Sequence, residues 1–118
     1  MENPPSFSEM HVLITGGAGF IGSNLADELV NIGSKVTVLD NLMTGHIENI
    51  SHLLEHPRFT FIEGDIRDFE TCQKAVKGCT HVSHQAALGS IPRSIDDPLL
   101  SLNINILGTT NVFFAAVK

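Results

Sequence analysis

The sequence predicts an α/β fold: the N-terminal half of a doubly wound parallel sheet, with about four strands. Three observations carry this. Short apolar runs rich in β-branched residues alternate with helical patterns, glycines cluster directly after the first run, and the 118 residues close on a helical pattern with no strand after it. Alternation at this pitch gives βαβ units with right-handed crossovers.

Residues 1–9 are polar, carry Pro4 and Pro5, and are expected to be a disordered lead; residues 10–118 form the partial domain. Val12-Leu13-Ile14 is a continuous apolar run bounded by Gly16, Gly17, Gly19 and Gly22, the pattern of a buried parallel strand. Ile21, Leu25, Leu29 and Ile32 then recur at helical spacing, Ala26 and Val30 widen the stripe, and Gly33 suits its stop. Val36-Thr37-Val38-Leu39 is the second strand. Across 41–57, Thr44-Gly45 predicts a turn, and Ile47, Ile50, Leu53 and Leu54 have helical spacing up to Pro57. Phe59–Ile62 is the third strand, and Asp68 caps a short helix through Ala75 and Val76 that Gly78 closes. His81–His84 is a weaker fourth strand, and Pro98 opens a long helix carrying Leu102, Ile106, Val112, Phe113 and Val117.

Composition removes several classes of function. The length suits one modest domain, and 42% hydrophobic against 17% charged residues argues for a packed core rather than disorder. Seven Lys+Arg against thirteen Asp+Glu, a net charge of −6, is the wrong balance for nucleic acid or an anionic membrane surface. The N-terminus lacks a signal-peptide pattern, and no apolar run reaches the roughly 18 residues of a membrane span. Cys72 and Cys79 are too few for a disulfide framework, so reduced thiols in the cytoplasm are expected.

Thr15-Gly16-Gly17-Ala18-Gly19-Phe20-Ile21-Gly22 holds G-x-x-G-x-x-G at 16, 19 and 22, between an apolar strand and an amphipathic helix. In that setting the glycines turn the chain tightly, admit a pyrophosphate to the backbone and let helix pack on strand. The helix start then offers free N–H groups and a partial positive charge to the phosphates. The second strand ends at Asp40, eighteen residues after Gly22, where a carboxylate accepts hydrogen bonds from ribose hydroxyls and repels a 2′-phosphate. This favours NAD over NADP.

With TGGAGFIG at 15–22, Asp40-Asn41, GDIRD at 64–68, HQAA at 84–87 and NILGTTN at 105–111, the chain resembles an extended short-chain dehydrogenase/reductase. The group is that of the NAD-dependent sugar-nucleotide epimerases and dehydratases, and the fold it implies is the first part of a Rossmann-type domain, the substrate domain being absent. DNLMTGH at 40–46 and HQAALGSIPRSIDDP at 84–98 are most similar to UDP-N-acetylglucosamine 4-epimerases. The resemblance implies that Phe20 and Ile21 present N–H groups to the pyrophosphate, and that Asp40 and Asn41 hold the adenosine ribose beside Thr44 and Gly45. Asp65 and Ile66 meet the adenine edge. Gln85, Ala86 and Ala87 border the cofactor's ribose-phosphate, and Asn105 fixes the following helix near it. Gly89-Ser90 is the pattern of N-acetyl-accepting relatives, which places Ser90 and Ser94 at a sugar site. Full-length relatives of this kind are homodimers.

The implied activity is C4 epimerisation of a UDP-hexose or UDP-N-acetylhexosamine by transient hydride transfer to NAD. In such enzymes the proton acceptor is the Tyr of a Tyr-x-x-x-Lys motif, with the Lys lowering its pKa. The sequence contains no Tyr, so no catalytic residue is assigned, and the chain alone is expected to be an inactive fragment. Two alternatives remain: a fragment of a nucleotide-sugar dehydratase or decarboxylase, and a non-catalytic NAD-binding module. The six histidines make no metal site: His46, His52 and His56 read as solvated surface, and His81 and His84 as packing or a polar cap. Cys72 and Cys79 lack redox spacing, and Asp96-Asp97 reads as helix N-terminal charge.

Overall fold

The computed structural model describes residues 7–86 and 107–117. Four parallel strands, β1 (His11–Thr15), β2 (Lys35–Asp40), β3 (Phe59–Glu63) and β4 (His81–His84), form one sheet in the order β3-β2-β1-β4. Helix α1 (Phe20–Asn31) links β1 to β2, α2 (Phe69–Val76) links β3 to β4, and α3 (Thr109–Val117) follows. The strand order reverses at β1, whose two neighbours are β2 and β4.

Successive side chains of a strand point to opposite faces, so each apolar run feeds two cores. Val12, Ile14, Val36 and Val38 meet Ala26, Leu29 and Val30 of α1 on one face, with Ile50, Leu53 and Phe59 closing that cluster. Leu13 and Leu39 point the other way, against Ile66, Cys72, Ala75, Val112 and Ala115. This two-sided burial is why β1 and β2 carry unbroken apolar sequence. The edge strands β3 and β4 are only partly buried.

The predicted strands and first helix agree with the structure to within a residue or two at their ends. Asp68 heads α2 as expected, its carboxylate accepting from the Glu70 N–H at 3.2 Å and the Thr71 hydroxyl at 2.9 Å. Gly33 and Gly78 follow α1 and α2 with φ of +103° and +80°.

Three places differ from the sequence reading. Within the expected disordered lead, Phe7–Glu9 form one 3-10 turn, and the Lys35 N–H donating to Met10 O at 3.0 Å ties the chain after it to β2. The stretch with helical spacing before Pro57 is not an α-helix but two 3-10 turns, Ile47–Asn49 and Ser51–Leu53. Ile50 between them has φ −125°, which interrupts the helical path, while the His46 N–H and the Asn49 amide both bind Ala18 O, at 3.0 and 2.8 Å. Those bonds hold the segment against the glycine turn. Of the long C-terminal helix, Thr109–Val117 is present as α3; Pro98, Leu102 and Ile106 lie outside the described residues.

Candidate functional site

The site lies at the carboxyl ends of the strands, beside the position where strand order reverses, which is where open α/β sheets bind ligands. One cleft there is lined by Gly16, Gly19, Leu39, Asp40, Asn41, Met43, Thr44, Gly45, Gly64, Asp65, Ile66, Gln85 and Ala86. Ten of the residues singled out in the sequence therefore share one cleft: Gly16, Gly19, Asp40, Asn41, Thr44, Gly45, Asp65, Ile66, Gln85 and Ala86. Phe20, Ile21 and Gly22 stand beside it at the start of α1. Ala87, Ser90, Ser94 and Asn105 lie outside the described residues.

Gly16 leaves β1 with φ +71° and donates its N–H to Leu39 O at 2.8 Å, which pins the turn to β2. A Cβ on Gly16 would sit 2.8 Å from both Ala86 Cα and Ala86 N. A Cβ on Gly22 would collide with the Gly16 carbonyl oxygen, so this glycine is what lets α1 approach the turn. Gly19 heads α1 with no side-chain cap, and the Ser23 N–H bonds back to Gly19 O at 2.9 Å. The N–H groups of Phe20 and Ile21 precede that bond, at the positive end of the helix. The Phe20 and Ile21 side chains are 82% and 66% exposed, so these residues contribute backbone rather than apolar wall.

Asp40 is buried, and both its oxygens are engaged by backbone. Oδ2 accepts the Ala18 N–H at 2.9 Å, inside the glycine turn, and Oδ1 accepts the Leu42 N–H at 2.7 Å. An ionised carboxylate offers about four lone-pair sites, so acceptor capacity remains toward the cleft. Asn41 makes a similar turn, accepting from the Met43 N–H at 3.0 Å, and its amide donates to Asp65 Oδ2 at 3.2 Å. The residue between, Leu42, has φ +62°, a rare backbone for a branched side chain, and it packs on the core. Arg67 holds Asp65 with two side-chain bonds, Nε to Oδ1 at 2.9 Å and Nη2 to Oδ2 at 2.6 Å. Those bonds hold the Asp65 carboxyl down at about 2.

The opposite wall hangs on Thr15. Its Oγ1 accepts the N–H groups of Gln85 and Ala86 at 3.1 and 3.2 Å. With both lone pairs used, the hydroxyl proton goes to His84 Nδ1 at 2.5 Å, which leaves His84 Nε2 to donate to Thr109 Oγ1 at 2.9 Å. Burial pushes the His84 pKa below its ordinary value, in keeping with a neutral ring that donates through Nε2.

Sequence reasoning missed Leu39, Met43 and Gly64, which line the cleft. Leu39 reads in the sequence only as part of the second strand, and Gly64 and Met43 sit inside the quoted motifs GDIRD and DNLMTGH without a role of their own. Among the described residues no group of three His, Cys, Asp or Glu side chains is placed to hold a metal. No described helix is long and apolar enough to cross a membrane.

A family profile described as GDP-mannose 4,6 dehydratase matches residues 13–118. The chain belongs to that family. The relatives it is similar to differ in activity. UDP-glucuronic acid decarboxylase 1 of Arabidopsis thaliana is 34% identical over 109 residues, covering 92% of this chain and 24% of the decarboxylase. The crystal structure of Thermus thermophilus UDP-glucose 4-epimerase in complex with NAD is 44% identical, with a TM-score of 0.79, over 90% of this chain and 33% of that one. UDP-N-acetylglucosamine 4-epimerase of Methanobrevibacter ruminantium, in complex with UDP-N-acetylmuramic acid, is 38% identical with a TM-score of 0.82, over 91% and 34%. The chain thus spans about a third or less of the length of these relatives. The four-stranded parallel sheet is the start of their Rossmann-type domain.

Proposed function

We propose that this chain is the NAD-binding segment of a sugar-nucleotide 4-epimerase acting on a UDP-hexose or UDP-N-acetylhexosamine. The observation that carries the cofactor reading is one cleft with the glycine turn on one side and Asp40, Asn41 and Asp65 on the other. The residues fit the group. Gly16 leaves no room for a side chain against Ala86, the α1 start presents N–H groups, and a carboxylate closes the β2 end where a 2′-phosphate would be repelled. Bound NAD supplies a hydride acceptor and donor; the chain's own residues bind and orient it. Gly16, Gly19, Phe20, Ile21 and Gly22 form the pyrophosphate turn, Asp40, Asn41, Thr44 and Gly45 the ribose side, and Asp65 and Ile66 the adenine edge. Gln85 and Ala86 form the remaining border; the family resemblance adds roles for Ala87 and Asn105, which lie outside the described residues.

The epimerase reading rests on DNLMTGH at 40–46 and HQAALGSIPRSIDDP at 84–98, the segments most similar to 4-epimerases; overall identity runs from 34% to 44% for 4-epimerases and from 34% to 37% for the decarboxylases. The sugar site is assigned to Ser90 and Ser94. The family resemblance is the support for homodimerisation of the full-length protein, and two free thiols support a cytoplasmic setting. The proton acceptor is not among these 118 residues, which contain no Tyr. The test is to read the native transcript past the Lys118 codon and assay its complete product. Interconversion of UDP-N-acetylglucosamine or UDP-glucose with its C4 epimer is the expected result. Decarboxylation of UDP-glucuronate or 4,6-dehydration without epimerisation would replace this reading, and a frame ending at Lys118 would leave cofactor binding alone.

A further inference from the structure

The two walls of the cleft come from distant parts of the sequence, the Asp65–Ile66 loop after β3 and the Gln85–Ala86 loop after β4, yet both are fastened to the same helical turn. The Asn111 amide donates to Ile66 O and Arg67 O, each at 2.9 Å, so one side chain holds two successive carbonyls of the first loop. On the other side, Thr109 Oγ1 receives His84 Nε2, His84 Nδ1 receives the Thr15 hydroxyl, and Thr15 Oγ1 receives the Gln85 and Ala86 N–H groups. Between the two attachments the backbone of Gly108 presses on the Ile66 side chain, where a Cβ would collide with Ile66 Cγ1 and Cδ1. Behind them, Val112 and Ala115 anchor the helix in the core that contains Ile66.

We propose that the first turn of α3 is a clamp that sets the spacing of the cofactor cleft, with Asn111 positioning the adenine wall and Thr109, through His84 and Thr15, positioning the opposite wall. Neither residue lines the cleft; each acts through the backbone it holds. This rests on the dinucleotide reading of the cleft. Loss of such a fastening is expected to weaken ligand binding about 10-fold, which is about 1.4 kcal/mol.

The two jaws give different signatures, which separates the clamp from a general loss of structure. Calorimetric titration with AMP and with NAD is the experiment, on the 118-residue chain and on Asn111→Ala and Thr109→Val. Asn111→Ala is expected to weaken both ligands about 10-fold, because AMP and NAD share the adenine wall. Thr109→Val, close in shape to Thr but without the hydroxyl, is expected to weaken NAD about 10-fold and leave AMP within about 2-fold. Hydrogen exchange on the ligand-free Asn111→Ala variant should quicken at residues 65–68 and stay unchanged in β1. Unchanged affinities, equal weakening of both ligands by Thr109→Val, or faster exchange throughout β1 would each overturn the clamp. An unsubstituted chain that binds neither ligand would overturn the cofactor reading and the clamp with it.

Discussion

Gly16→Ala is expected to abolish measurable NAD binding and to lower the thermal midpoint of the chain by about 10 °C or more. Two independent effects add at this position. The backbone sits at φ +71°, which an L-residue with a Cβ enters only at a cost of about 1 kcal/mol or more. The new Cβ would also lie 2.8 Å from Ala86 Cα and N, backbone atoms that cannot rotate away. Relief requires the β4 end to move off β1, where the Gln85 N–H is shared between Thr15 O and Thr15 Oγ1 and the Ala86 N–H binds Thr15 Oγ1. The cleft then opens at its floor. Differential scanning fluorimetry and calorimetric titration check both effects; a variant with wild-type midpoint and affinity would show that the turn is not packed as described.

Asp40→Ala is expected to weaken NAD binding about 100-fold and to destabilise the ligand-free chain by about 2 kcal/mol. The carboxylate accepts the Ala18 N–H within the glycine turn and the Leu42 N–H beyond β2, and Ala18 is fully buried. Removing the acceptor leaves a buried donor without a partner, which is the costly direction of such a deletion. Asp40→Asn is the sharper control. Its single carbonyl oxygen satisfies one N–H, and its NH2 then faces the other donor, so stability should fall nearly as far as in the alanine variant. Both substitutions also remove the charge that opposes a 2′-phosphate, so NAD should lose more affinity than NADP does. Equal losses for the two cofactors would show that Asp40 organises the turn without facing the ribose.

What was legible in the sequence follows from how local each feature is. The strand, glycine turn, helix, second strand and acidic residue occupy thirty continuous residues from His11 to Asp40, and each is set by its neighbours in sequence. The Asp68 cap was legible for the same reason, because its partners are Glu70 and Thr71. The segment from His46 to Leu54 was not. Ile47, Ile50, Leu53 and Leu54 have spacings of three, three and one, which suit an α-helical face. The interruption at Ile50 and the attachment to Ala18, some thirty residues earlier, make 3-10 turns of them instead.

The same distinction applies to the site. Asp40 was found as a ribose ligand, but its hold on the glycine turn spans 22 residues and has no local signature. Asn111 stood at the end of the quoted NILGTTN motif with no role, because the carbonyls it binds are 44 and 45 residues away. His84 was set aside as packing or a polar cap; it is a hydrogen-bonded bridge between β1 and α3. The signal that could have found these residues was the polar run Thr109-Thr110-Asn111 at the head of an apolar helix facing the sheet.

Direct titration of NAD into the purified 118-residue chain tests the central claim most simply, with NADP titrated in parallel. The expected result is saturable one-to-one binding of NAD, with NADP at least about 10-fold weaker because of the carboxylate at the end of β2. No binding of either cofactor, at concentrations where the chain is folded, would contradict the assignment of the cleft.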